Sequence, residues 1–147
     1  MTSEKFVPHV RFPRLRHELL WYLYELANED HQRIQWAHKQ AKSAGSMQGF
    51  DFVVHFFFDD TQLGAQPQNT LGDILTDDIE VASVRHVAEE LEKVLSALPR
   101  DAADIEYLNL PAWRGVVSAS QAAYRILRPR LIEEGDDAVP PVIEGHG

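Results

Sequence analysis

The chain has 147 residues, no cysteine and a net charge of −9. That length buries a core without staples, and the missing thiols exclude disulfides, thiolate metal sites and cysteine nucleophiles. A hydrophobic share of 44% excludes global disorder. No segment reaches the roughly 18 apolar residues of a membrane span, so a cytoplasmic protein without membrane contact is expected.

Residues 1–11 read as a loose arm. Pro13 suits the first turn of a helix, where its missing N–H is not needed, and Leu15, Leu19, Leu20, Leu23, Leu26 and Ala27 recur at helical spacing. Trp21, Tyr22 and Tyr24 widen this stripe and are read as packing. Asn28 is the expected C-terminal residue and Asp30 the N-cap of a second helix to about Lys42. "SAGSMQG" then forms a loop.

Between Phe50 and Phe58 only Asp51 and His55 are polar. Period-two alternation puts Phe50, Phe52, Val54, Phe56 and Phe58 on one face and Asp51, Val53, His55, Phe57 and Asp59 on the other, which predicts a strand. "TQLGAQPQNT" is turn-rich, and "LGDIL" at 71–75 is expected as a second strand, antiparallel to the first. Thr76 or Asp77 caps a helix to about Leu98, with Ile79, Ala82, Val87, Leu91, Val94, Leu95 and Leu98 inward and Glu80, Glu89, Glu90 and Glu92 mainly elsewhere. "DIEYLNL" is a connector or a very short strand. The last helix opens at Leu110-Pro111, buries Trp113, Val116, Val117, Ser120, Tyr124 and Leu127, and stops at Pro129. The expected fold class is α+β: four to five helices packed around a short antiparallel β-hairpin. Residues 1–128 form one globular domain, and 129–147 a disordered, acidic, Pro/Gly-rich tail.

Charge is unevenly placed. From Asp51 to Glu92 ten carboxylates face Arg85 alone, a balance of −9. Such a field repels phosphate backbones, which argues against nucleic acid and for a basic partner. Asp59, Asp60, Asp73, Asp77 and Asp78 gather where the hairpin joins the central helix. His55 is a candidate polar site, read first as a buried structural histidine. On a strand His55 and Asp59 stand about 13 Å apart and cannot meet. His31 and His38 are two helical turns apart, and His86 and Glu90 sit at i, i+4, yet no H-E-x-x-H or E-x-x-H pattern appears. No metal site and no cofactor are expected. Neither G-x-S-x-G, S-x-x-K, a P-loop nor G-x-G-x-x-G is present. The arginines of "RFPRLRH" are read as ion-pair partners of the acidic face.

The stretches "RLRHELLWYLYELA", "HQRIQW", "VVHFFFDDTQLG", "LGDILTDDIEV" and "YLNLPAWRGVVSASQAAY" together resemble a family of small acidic, mostly actinobacterial proteins of unknown function. The resemblance covers about residues 14–127 and implies no catalytic residue and no known enzyme class. The leading expectation is a non-catalytic cytoplasmic binding protein that presents Asp59, Asp60, Asp73, Asp77 and Asp78 to a basic protein partner, immunity-protein or antitoxin-like. Trp36 or Tyr107 would anchor it. One alternative is a metal-dependent hydrolase-type enzyme using His55, Asp59 and a histidine of the second helix. Another is a homo-oligomer, such as a homodimer, with Trp21 and Tyr24 or Trp113 and Tyr124 meeting across a two-fold axis.

Overall fold

A computed structural model describes residues 10–30, 32, 49–99 and 101–143. Its helices are α1 (Pro13–Ala27), α2 (Gly49–Val54), α3 (Asp78–Ala97), α4 (Asp104–Leu108) and α5 (Trp113–Glu133). A π-helical segment, His55–Asp60, continues α2, and a 3-10 turn, Pro67–Thr70, follows. Helix α5 is the spine: α1 packs along one side of it and α3 along another. Leu19, Leu20, Leu23 and Leu26 of α1 meet Trp113, Val116, Ala123, Tyr124 and Leu127 of α5 in one continuous core.

Among the described residues there is no β-strand, only an isolated bridge between Leu71 and Leu75. The expected hairpin is therefore absent and the fold is all-α. Residues 50–59 are helical because Phe50, Val53, Val54 and Phe57, at i, i+3, i+4 and i+7, form the buried stripe. Phe52, placed inward by the alternating reading, is 50% exposed. β-Branched and aromatic residues favour strands only weakly, and packing overrides that preference. The expected partner strand also fails. Gly72 sits at φ +86°, and the N–H groups of Asp73, Ile74 and Leu75 all donate to the carbonyl of Thr70. That coil offers no ladder, so residues 50–59 must satisfy their backbone within their own turns.

The π-helical winding brings Phe56 and Phe57, adjacent in sequence, into the core together. Thr61 closes it, its hydroxyl donating to the Phe56 carbonyl at 2.7 Å and accepting from the Leu63 N–H at 3.2 Å. The Gly64 N–H donates to the Phe57 carbonyl at 2.8 Å. Asp104 is buried and accepts the Phe50 N–H at 3.2 Å, satisfying a donor in the first turn of α2. "DIEYL" is thus a helix rather than a connector or strand.

Asn28 ends α1 as expected. Helical backbone resumes at Glu29 and Asp30, one residue ahead of the expected cap. The rest of that second helix, with His31, Trp36 and His38, lies outside the described residues. Gln32, fully buried, donates from Nε2 to the carbonyls of Glu25 and Leu26 at 2.7 and 2.8 Å and accepts the Trp113 indole N–H at 2.8 Å. This one side chain closes the C-terminus of α1 and ties it to α5.

Asp77 caps α3, accepting the Glu80 N–H at 3.0 Å. The inward stripe is Val81, Val84, Val87, Ala88, Leu91 and Val94, rotated from the expected one: Ile79 is 56% exposed, while Glu80 is buried. Helix α5 passes through Pro129 and ends at Glu133. Pro129 and Arg125, four residues apart, are both exposed, so the ring and the carbonyl it leaves unpaired sit on the wet side. The helix stops at Gly135, φ +101°, where the Asp136 N–H reaches the Leu131 carbonyl at 2.9 Å and the Gly135 N–H the Ile132 carbonyl at 3.0 Å, a Schellman turn. Beyond it, the carbonyls of Ala138, Pro140 and Pro141 accept bonds from Trp21, Arg128 and Tyr124.

A Cβ at Gly64 would stand 2.5 Å from the Phe58 ring and 2.8 Å from the Phe57 carbonyl oxygen. The carbonyl is backbone and cannot swing away. Gly64→Ala should lower the urea midpoint by the equivalent of about 1–3 kcal/mol without changing the slope of the transition; an unchanged midpoint would show that the turn is loose.

Candidate functional site: a buried ion network and the carboxylates around it

Among the described residues, Arg16 is a buried cation, 1% exposed on the inner side of α1. All five of its N–H donors are used. Nε donates to Glu134 Oε1 at 2.9 Å, Nη1 to the Ile74 carbonyl at 3.0 Å and Glu80 Oε1 at 2.7 Å, and Nη2 to Glu80 Oε2 at 3.0 Å and Glu134 Oε2 at 2.9 Å. Glu80, itself 0% exposed, also accepts the Thr76 N–H at 2.8 Å and Arg130 Nη1 at 2.9 Å. Arg130 Nη1 reaches both Asp77 oxygens, at 3.1 and 3.0 Å. Burial pushes the Glu80 carboxyl up, but the hydrogen bonds and charge of Arg16, with Thr76 and Arg130 behind them, win and hold it at about 2. Arg16 is raised despite its burial because Glu80 and Glu134 favour its cation.

Sequence reasoning placed Glu80 outside this core and stopped α5 before Glu134. The signals were present: Asp77 and Glu80 stand at N-cap and N3, and "EEG" marks a helix end ahead of Gly135. The network also reorders the acidic segment. Asp77 and Glu80 are consumed by Arg16 and Arg130, cations from outside that segment, so the −9 stretch does not form one acidic face. Of the N-terminal arginines, Arg16 pairs with Glu80, and Arg11 approaches Asp73 at 3.8 Å.

Of the five predicted aspartates, Asp59, Asp60 and Asp78 are exposed and Asp73 is half-buried. Asp60 and Asp73 line one cleft of about 160 Å³ with Phe12, Leu15, Thr61 and Asn69. The cleft exists because Arg11 and Phe12 donate their N–H groups to the carbonyls of Gly72 and Asp73, both at 2.8 Å, pinning the start of the chain beside the π-helical turn. His55 is not buried: its side chain is 45% exposed. Nor is it remote from Asp59, because on a helix the two are neighbours, and Nδ1 stands 2.6 Å from Asp59 Oδ2. Among the described residues no group of three or more His, Asp or Glu side chains is placed to hold a metal.

The predicted anchors move as well. Tyr107 is buried, its hydroxyl donating to the Pro99 carbonyl at 2.8 Å. Trp113 and Tyr124 are buried in the same way and cannot meet a second copy without opening the core. Trp21, read as packing, is instead 40% exposed. With His17, Glu18, Tyr22 and Glu25 it lines a cleft of about 420 Å³ on the outer side of α1. The phenol of Tyr22 is pushed up by burial and then by the charges of Glu18, Glu25 and Asp60, so the negative field of the π-helical turn runs onto α1. The missed signal was the spacing of Glu18, Trp21, Tyr22 and Glu25, one polar–aromatic row opposite the leucines.

A family model described as a domain of unknown function (DUF7945) matches residues 10–137. The chain belongs to this family. The matched span takes in both the Arg11–Phe12 segment and the turn carrying Glu134 and Asp136, wider at each end than the resemblance over about 14–127. No curated protein and no solved structure matches the DUF7945 chain. Among its described residues no helix is long and apolar enough to cross a membrane.

Glu80→Gln leaves the Arg16 cation short of a charged partner in a buried site. It should cost about 3 kcal/mol or more at pH 7. Because folding depresses the Glu80 pKa from an ordinary 4.5 to about 2, its contribution is complete above pH 4.5 and is lost as pH falls toward 2. The gap between wild type and variant, followed by urea unfolding, should therefore close across that window. A gap that stays constant would remove Glu80 from the titration.

Proposed function

We propose that this DUF7945 protein is a non-catalytic binding protein that presents an acidic face to a basic protein partner, in the manner of an immunity protein or antitoxin. The observation that carries this reading is the shared cleft of Asp60 and Asp73, with exposed Asp59 beside it and Asp78 at the head of α3. Arg11 lies against Asp73 but is 70% exposed, and a pair so open to water contributes only about 0–1 kcal/mol. It yields readily to a partner's cation. Asp77 drops out of the contact set because Arg130 and the α3 N-cap occupy it. Carboxylates in this setting accelerate encounter and select against acidic partners; affinity must come from apolar contacts. Phe12, at the edge of the cleft, is 41% exposed and offers one such surface.

The test is affinity capture from the source lysate, with wild type beside a folded Asp59→Lys/Asp60→Lys variant. A basic protein should be retained by wild type, and its association rate should fall about tenfold or more in the variant and in raised salt. A partner held equally by both baits and insensitive to salt would defeat the reading.

A further inference from the structure

We infer that the cleft on the outer side of α1 is a socket for an arginine side chain of the protein partner. This rests on the reading above and supplies its anchor. The walls are two aromatic rings held in place before anything binds. The Trp21 indole N–H donates to the Ala138 carbonyl at 3.1 Å, and the Tyr24 ring stands edge-on to it at 5.9 Å and 78°. Tyr22 lies against Phe56 at 4.6 Å. An exposed tryptophan fixed in this way presents apolar area without losing further rotamer freedom on binding.

The rims are carboxylates. Glu18 and Glu25 are seven residues apart on the helix, about 10 Å along its axis, and bracket the two rings. Among the described lining residues the cationisable group is His17, which is turned to Asp136, with Nδ1 at 2.6 Å from Oδ2. An anion is repelled here, and a neutral planar group gains only contact area. A guanidinium can lay its faces on the rings while its edge donates to a carboxylate, which an ammonium does less well. Among the described residues Arg11 makes a related contact: it lies 5.5 Å over the Phe12 ring and 3.8 Å from Asp73.

The test titrates isotope-labelled full-length protein with N-acetyl-arginine amide, N-acetyl-lysine amide and N-acetyl-citrulline amide, read by NMR. Arginine amide should shift the Trp21 indole and Tyr22 ring signals saturably in the millimolar range. Lysine amide should bind about twofold to fivefold more weakly, and citrulline amide should not saturate. Glu18→Gln/Glu25→Gln should weaken arginine binding by a similar factor while leaving the buried Trp113 and Tyr107 signals in place. If that variant loses its core signals, Trp21→Leu, read at Tyr22, should show the loss instead. Arginine shifts confined to the Asp60 and Asp73 cleft, or equal binding of citrulline, would overturn the socket. No partner is used, so saturation here with an unchanged Asp59→Lys/Asp60→Lys capture would sink the acidic-face reading alone.

Discussion

The bidentate pair between Arg16 and Glu80 is the constraint on which the rest of the structure depends. Two charges removed from water destabilise a fold by several kcal/mol each unless every donor and acceptor is met. Meeting them requires Glu134 from the turn after α5, the Ile74 carbonyl and Thr76 N–H from the loop, and Arg130 from α5 itself. Each requirement fixes a register. Arg16 ties α1 to the first turn of α3, Arg130 sets how α5 lies on the head of α3, and the Schellman turn at Gly135 aims Glu134 inward. Exposed pairs such as Arg11 with Asp73 are worth too little to set a fold.

The same network decides which acids are left for function. Read along the chain, Asp73, Asp77, Asp78 and Glu80 are four carboxylates within eight residues. In space they separate: Glu80 goes to the core, Asp77 to the helix cap, and Asp73 and Asp78 remain near water. Placing the loop in this way also sets Asp73 opposite Asp60, from the end of the π-helical segment. The proposed division of labour follows from these positions. In that proposal the carboxylates around the cleft govern how fast a basic partner arrives, and the preset Trp21 and Tyr22 rings govern how long it stays.

Much of the helical frame was legible in the sequence. Pro13, Asn28, Asp77 and Pro99 mark element ends by local chemistry, and the stripes of α1 and α5 follow the leucine, valine and aromatic spacing. The segment from Phe50 to Asp59 was not, because it satisfies two periods at once. Alternation gave five apolar residues on one face, while the i, i+3, i+4, i+7 set was equally apolar, and only the absence of a partner strand decides between them. That absence depends on Gly72 coiling residues 70–75 back on Thr70. The site was legible in its charges but not in its partners: Arg16 and Glu80 are 64 positions apart, and a buried glutamate looks like any surface glutamate until its arginine is in place. Trp21 was misassigned for a related reason. Aromatic residues default to the core in a pattern reading, and only the packed helices show which side of α1 is left outside.

The most direct measurement is a double-mutant cycle on Arg16→Met and Glu80→Met, followed by urea unfolding at neutral pH. If the network organises the fold, each single change should cost about 3–5 kcal/mol by stranding the other charge. The double variant should then cost less than the sum by about 2–3 kcal/mol, with Glu134 and Arg130 limiting the recovery. Single costs near zero, adding within about 0.5 kcal/mol in the double variant, would mean that the pair is incidental and that packing alone holds α1, α3 and α5 together.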